Sequence, residues 1–265
     1  MTQLAFDFTT PAHPEYVVFC SYGNDSIALL QLLSEYQLQR QAKVYVLYSD
    51  TGWADPDWED RVNRGEAWAT AKGFHCARTT SIGFPDLVRK KKIFPRGLAQ
   101  FCTSELKIYP AQRWLDQNDP HKRAVCINGV RRAESQRRAN TPVYVPKSDA
   151  HGGRPLWSAM AEFSHEDRDA MIAKTGFEVL PHRSMECSPC IFANRKDLRC
   201  VSQQRVDQIR ALEAELGDGR TMFKPKAKGG AIGIDEVMRW AWSDHGKYSP
   251  LDNDVEDCDS GFCGA

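Results

Sequence analysis

The chain has 265 residues with 35 Lys and Arg against 35 Asp and Glu, so its formal net charge is zero, and 42% of its residues are hydrophobic. That balance excludes a global field recruiting nucleic acid or membrane, and no apolar run approaches the roughly 20 residues that a membrane span needs. The first ten residues lack a basic-then-apolar signal pattern, so a cytoplasmic protein with no membrane partner is expected.

Taken in order, residues 1–14 end in prolines and read as a lead-in. Val17 to Cys20 is a short apolar strand, followed by Ser21-Tyr22-Gly23-Asn24-Asp25-Ser26 and a helical apolar run from Ile27 to about Leu38. A buried strand, a glycine turn and a helix start are the parts that hold a phosphate. Gly23 lets the backbone approach an anion, and the first helical amides have no internal partners. Asp25 and Ser26 suit the helix N-terminus. Lys43 to Tyr48 is a second strand ending at Ser49-Asp50-Thr51-Gly52. Asp55 to Lys72 reads as a helix, and Phe74 to Thr79 as a third strand. This alternation predicts an α/β fold with a doubly wound, mostly parallel sheet, whose ligands sit at the carboxyl ends of the strands.

From Asp86 to Ala139 the chain carries 13 Lys and Arg against five acids, including Arg89-Lys90-Lys91-Lys92. Within this band lies Phe101-Cys102-Thr103-Ser104-Glu105-Leu106-Lys107-Ile108-Tyr109-Pro110. Ala124 to Val130 is another strand. It leads to Gly129-Val130-Arg131-Arg132-Ala133-Glu134-Ser135-Gln136-Arg137-Arg138, in which guanidinium forks suited to polyphosphate stand beside an acid able to orient one of them. Ser164 to Gly176 is a helix with its own capping signals. The nucleotide-binding part is expected to end near residue 180, with residues 181–265 forming a cysteine-rich helical C-terminal region.

Of nine cysteines, Cys20, Cys76 and Cys126 sit in strand-like apolar runs and read as small buried hydrophobes. Cys187-Ser188-Pro189-Cys190 is a CxxC with Cys200 following, a pattern open to zinc, with His182 near, to a redox pair, or to an iron–sulfur cluster. Ser202 to Leu216 and Ile234 to Trp242 are amphipathic helices, separated by the basic stretch Phe223 to Gly230. The segment Leu251 to Ser260 holds five acids and no base, and the chain ends Cys258-Asp259-Ser260-Gly261-Phe262-Cys263-Gly264-Ala265.

SYGNDS after the first strand resembles the PP-loop of ATP pyrophosphatases, in the branch of phosphoadenosine phosphosulfate (PAPS) reductases. Tyr22 and Asn24 stand at its second and fourth positions. SDTG, FCTSELKIYP, GVRRAESQRR, RPLW and CSPC follow in the order found in that branch, which also contains DndC-like DNA-modification proteins. The resemblance implies an adenine nucleotide alpha hydrolase-like fold and an adenine nucleotide ligand, ATP with Mg2+ or PAPS or its unphosphorylated relative APS. It places Ser21, Tyr22, Gly23, Asn24, Asp25 and Ser26 at the phosphates, Asp50, Thr51 and Gly52 near the adenosine, and Gly129, Arg131, Glu134 and Arg138 at the phosphates again. Asp25, Ser26 and Arg131 are the catalytic candidates, with Cys263 as a tail nucleophile.

For the cysteines, the resemblance implies a [4Fe–4S] cluster on Cys102, Cys187, Cys190 and Cys200, with Zn2+ as the alternative. The expected activity is adenylylation of a substrate with release of pyrophosphate, coupled to sulfur transfer. The expected partners are a nucleic-acid or small-molecule acceptor and a sulfur donor such as a cysteine desulfurase, and the chain itself could form a homo-oligomer. The alternatives are sulfonucleotide reduction through Cys263, or a non-catalytic nucleotide-binding component of a DNA-modification or phage-defence complex.

Overall fold

The structure, a computed structural model, describes residues 15–97, 99–223 and 233–243. Its centre is a six-stranded sheet in the order β3-β2-β1-β4-β6-β5. The strands are β1 (Glu15–Phe19), β2 (Lys43–Asp50), β3 (His75–Thr80), β4 (Val125–Asn128), β5 (Tyr144–Ser148) and β6 (Arg154–Ser158). All pairings are parallel except β5 against β6. The chain runs outward from β1 to β3 and then returns to lay β4 against the free side of β1. The strand order therefore reverses between β1 and β4, and a crevice opens beyond their carboxyl ends.

The central strands β1, β2 and β4 read as apolar runs because both faces are covered. Val18, Val44, Val46, Val125 and Ile127 pack on one face with α1 (Asn24–Glu35). Their immediate neighbours Val17, Phe19, Leu47 and Cys126 pack on the other with Ala111 and Leu115. The short α2 (Leu38–Gln41) leads into β2, and α3 (Trp58–Ala71) crosses to β3. After β3 come α4 (Phe84–Lys91), α5 (Phe101–Thr103), a π-helical turn (Ser104–Ile108) and α6 (Tyr109–Asn118). The helix α7 (His165–Ala173) packs on α1. It carries the capping box predicted at Ser164, completed by Asp167. Arg154, at the start of β6, is wholly buried and held by Asp119 and by the carbonyls of Leu115 and Asp119.

The last elements are α8 (Arg195–Arg199), α9 (Gln203–Leu216) and α10 (Ile234–Trp242). Their core residues Leu198, Ile209, Leu212 and Val237 join Trp53, Phe84, Phe94 and Leu106 in one cluster, so this core draws on both sides of residue 180. The junction is also stitched through backbone. Asp55 N–H donates to the Met185 carbonyl, Ser188 N–H to that of Trp53, and the Trp53 indole N–H to that of Pro189.

The helix α1 begins at Asn24, three residues before the predicted apolar start. Tyr22 turns the chain with φ 59°, and Gly23 is the N-cap without any side-chain cap. Holding tyrosine in that left-handed turn requires its ring to be anchored. The ring is fully buried, 5.9 Å from that of Tyr48, and the Tyr22 carbonyl accepts the Arg61 Nε–H at 2.7 Å. Gly65 on α3 makes the room: a Cβ there would lie 2.2 Å from Tyr22 Cδ1. Alanine for glycine inside a helix ordinarily stabilises by about 1 kcal/mol. At Gly65 the sign reverses, and Gly65→Ala is expected to cost about 1–3 kcal/mol through overpacking. Thermal unfolding beside an exposed helical control would show it, and an unchanged or raised midpoint would refute the packing argument.

Candidate nucleotide site

The turn after β1 closes on itself. Ser21 N–H donates to Ser26 Oγ at 3.0 Å, the two hydroxyls lie 3.2 Å apart, and Gly23 N–H donates to Ser21 Oγ at 3.3 Å. Asn24 and Asp25, whose first-turn amides have no intrahelical acceptor, line the crevice. Asn24 does not extend toward an anion. Its side chain clamps the segment after the helix His165–Ala173, donating to the Leu180 carbonyl and accepting the Leu180 N–H, both at 2.9 Å.

The turn after β4 meets this loop. Gly129 lies against Asp25, where a Cβ would sit 3.3 Å from the Asp25 carbonyl oxygen. That approach lets Arg131 Nε reach Asp25 Oδ1 at 2.5 Å, with both side chains buried. Glu134 bonds Arg138 through one carboxyl oxygen and stands 3.9 Å from Arg131 Nε through the other. Two cations and two acids are thus packed at the switch point. Within this set Arg131 Nη1 and Glu134 Oε1 are buried without a hydrogen-bond partner. A buried guanidinium N–H without an acceptor is costly, and an anion in the crevice would remove that cost.

The crevice is a cleft of about 370 Å3. Asn24, Asp25, Arg131 and Glu134 form its inner wall. The outer wall is His165 and Arg168 from α7, the segment Leu180 to Arg183, and Asn194, Lys196 and Asp197 from the start of α8. Sequence reasoning missed this outer wall apart from noting His182. Asn194 and Asp197 stand at capping-box spacing, but no local signal says which cleft a capped helix faces.

Other predicted residues are placed elsewhere. The Tyr22 side chain lies in the core. Asp50, Thr51 and Gly52 are not part of the cleft wall. Asp50 Oδ1 accepts the Gly52 N–H at 2.8 Å, and the Thr51 hydroxyl donates to the Glu186 carbonyl at 2.7 Å, so this turn docks the cysteine segment. Cys263, with Cys258, lies outside the described residues, as does the stretch from Lys224 to Gly230.

Among the cysteines, Cys102, Cys187 and Cys190 gather beside Lys107, which the π-helical turn buries in an ion pair with Glu186. Burial pushes the Cys102 thiol up to about 12, with Cys190 adding to the shift and Lys107 opposing it. Cys187 is raised for the same reasons. Cys200 stands apart. It is exposed, its thiol donates to the Lys196 carbonyl, and its charged neighbours are Asp197 and Asp55 rather than the other thiols. Among the described residues no three His, Cys, Asp or Glu side chains stand at spacing that already holds a metal ion.

Burial lifts the Glu134 carboxyl to about 7 despite the pull of Arg138 and Arg131, and Asp25 adds to the rise. Protonating Glu134 removes a negative charge that competes for those guanidiniums. Phosphate ligands are therefore expected to bind tighter as pH falls from about 8 to about 6, by up to about tenfold. Calorimetric titration with pyrophosphate would measure this. Glu134→Gln should flatten the excess dependence, and an equal slope in both proteins would remove Glu134 as its source.

Comparison with known proteins gives the following matches. Residues 15–197 match the phosphoadenosine phosphosulfate reductase domain. An uncharacterized 37.8 kDa protein of Escherichia phage 186 is 29% identical over 152 residues, covering 52% of this chain and 44% of that protein. The chain therefore matches less than half the length of that curated relative. Among solved structures, a PAPS reductase from Candida auris in its phosphate complex is similar over 62% of this chain and 74% of its own, with TM-score 0.43 and 16% identity. The U34-tRNA thiolase NcsA from Methanococcus maripaludis, solved with its [4Fe–4S] cluster, is similar over 83% and 76%, with TM-score 0.40 and 13% identity. Candida glabrata FMN adenylyltransferase is similar over 64% and 49%, with TM-score 0.40 and 9% identity.

Proposed function

The chain belongs to the phosphoadenosine phosphosulfate reductase domain family, and from that premise we propose that the cleft binds the phosphates of an adenine nucleotide, ATP with Mg2+, for transfer of AMP to an acceptor. The observation that carries this reading is Arg131 Nη1, an orphaned donor on a guanidinium only 1% exposed, at the switch point beside the first turn of α1. A substrate oxygen would attack the alpha-phosphorus, the bond to the bridging oxygen would break, and pyrophosphate would leave. Arg131 and Arg138 would hold the charge gathering on the phosphates, the amides of Asn24, Asp25 and Ser26 would hold the leaving group, and Asp25 would keep Arg131 in place.

Cys102, Cys187 and Cys190 are the residues that would hold a [4Fe–4S] cluster; they are neighbours around Lys107, though among the described residues they do not stand at metal-holding spacing. When bound, such a cluster would supply iron able to carry sulfur. Lys107 would face the thiolates, offsetting their charge, and Glu186 would fix Lys107. A sulfur nucleophile displacing AMP would make the overall reaction a thiolation.

The test is pyrophosphate release from ATP, with candidate acceptors, by the anaerobically purified protein. Acceptor-dependent release, lost when Asp25 or Arg131 is replaced, is the expected result. Sulfite release from PAPS or APS with no pyrophosphate from ATP would replace this reading with sulfonucleotide reduction.

A further inference from the structure

The helix α8 joins the cleft to an aromatic shelf. Lys196 lines the cleft, is exposed, and its ammonium makes no ion pair among the described residues. On the same helix, the Arg195 guanidinium lies 4.4 Å from the Trp240 ring centroid and that of Arg199 lies 5.7 Å from the Trp242 centroid. Arg199 is fixed there because its Nε–H also donates to the Ala241 carbonyl at 2.6 Å. Packing does not require this arrangement. The core face of α10 is Ile234, Val237 and Ala241, while Trp242 is 64% exposed, the most exposed large hydrophobic residue among those described.

The charges on the strip are uneven. Lys196, Arg199 and Arg239 are exposed on α8 and α10, and Arg195 is half-buried against Trp240. Of the acids on the same elements, Asp197 is 3.6 Å from Arg183, Asp235 is engaged by Arg210, and Glu236 is 3.9 Å from Arg239. Cations held over an open indole face, next to a free lysine, offer two things together: a surface for a planar ring and countercharge for an anionic backbone. A duplex buries its base faces in its own stack, and an acidic peptide brings charge without rings. Single-stranded nucleic acid brings both.

We propose that Trp242, Arg199 and Arg195, with Lys196 at the cleft mouth, form a docking strip for single-stranded nucleic acid, with one base stacked on Trp242 and the backbone running along α8 toward the cleft. This names the class of acceptor for the nucleotide site and rests on that reading only for its direction; the binding itself stands apart from it.

The test is fluorescence anisotropy of short labelled oligonucleotides with the full chain, at low and raised salt, beside calorimetric titration with ATP. Single strands are expected to bind better than the matching duplex. Trp242→Ala should weaken them about tenfold or more, Trp242→Phe should retain most of the affinity, and Lys196→Ala should flatten the salt dependence. ATP binding should survive Trp242→Ala. Arg131→Gln should show the reverse pattern, losing ATP and keeping the oligonucleotide, so failure of the nucleotide reading and failure of the strip are separately visible. Equal affinity for duplex and single strand, undiminished binding by Trp242→Ala, or equal competition by an acidic peptide would overturn the proposal.

Discussion

Arg131→Gln is expected to weaken ATP binding by at least about a hundredfold, the size of effect seen when one member of a buried charged contact is truncated. It is also expected to cost about 3–5 kcal/mol of stability, because Asp25 is left as a buried carboxylate without its partner. The two losses have different causes and can be separated. Adding Asp25→Asn removes the stranded charge and puts two neutral amides where the ion pair stood, so much of the stability should return. Nucleotide binding should not return, since the buried guanidinium of the inner wall is gone. Chemical denaturation and calorimetric ATP titration of the two variants give all four values. A single variant that still binds ATP as the wild type does would show that Arg131 is only a structural ion-pair partner.

The second large effect concerns metal. Anaerobically purified protein is expected to carry about four iron and four sulfide per chain, as a [4Fe–4S] cluster requires. Cys187→Ala, Cys190→Ala and Cys102→Ala should each lose them, whereas Cys200→Ala should keep them. The last expectation departs from the four-cysteine set that the sequence suggested, and it follows from the exposed Cys200 thiol turned to the Lys196 carbonyl. Loss of iron in Cys200→Ala would restore that residue as a ligand. One zinc without sulfide would make the thiols a structural clamp, and neither metal would remove the shared thiol site altogether.

The sheet was legible because buried parallel strands leave unmistakable runs, such as Val17–Cys20 and Lys43–Tyr48, each followed by a helical period. The turn after β1 was legible because its geometry is local, with Gly23, Ser26 and the helix start lying within six residues. Arg131 was legible as an arginine after a strand. Its buried pairing with Asp25 was not, because the two are 106 residues apart and only the sheet order brings them together. The side-chain partners of Asn24 and Thr51 were not legible for a related reason. Both occupy turns at strand ends, where ligands are expected, and both spend their side chains on backbone from residues 180–186. A polar side chain in a phosphate-type loop reads identically whether it faces a ligand or a neighbouring segment. Tyr22 fell between these cases: its burial depends on Gly65, whose absent side chain gives the sequence no apolar signal to read.

The clamp between Asn24 and Leu180 also sets an order of events during folding. Closing contacts 156 residues apart comes late, after local helices and neighbouring strands have formed and shortened the effective loop. The part of the outer wall after residue 180 hangs from that clamp and from the pairing of Met185 and Ser188 with Asp55 and Trp53. A chain with its sheet complete but this segment undocked would have the phosphate turn and only half a cleft. During synthesis the cleft therefore cannot close before residues 180–197 have emerged. In the finished protein, amides of Leu180 and Ser188 should exchange with solvent through openings smaller than those needed to free β1, and bound nucleotide should slow that exchange first.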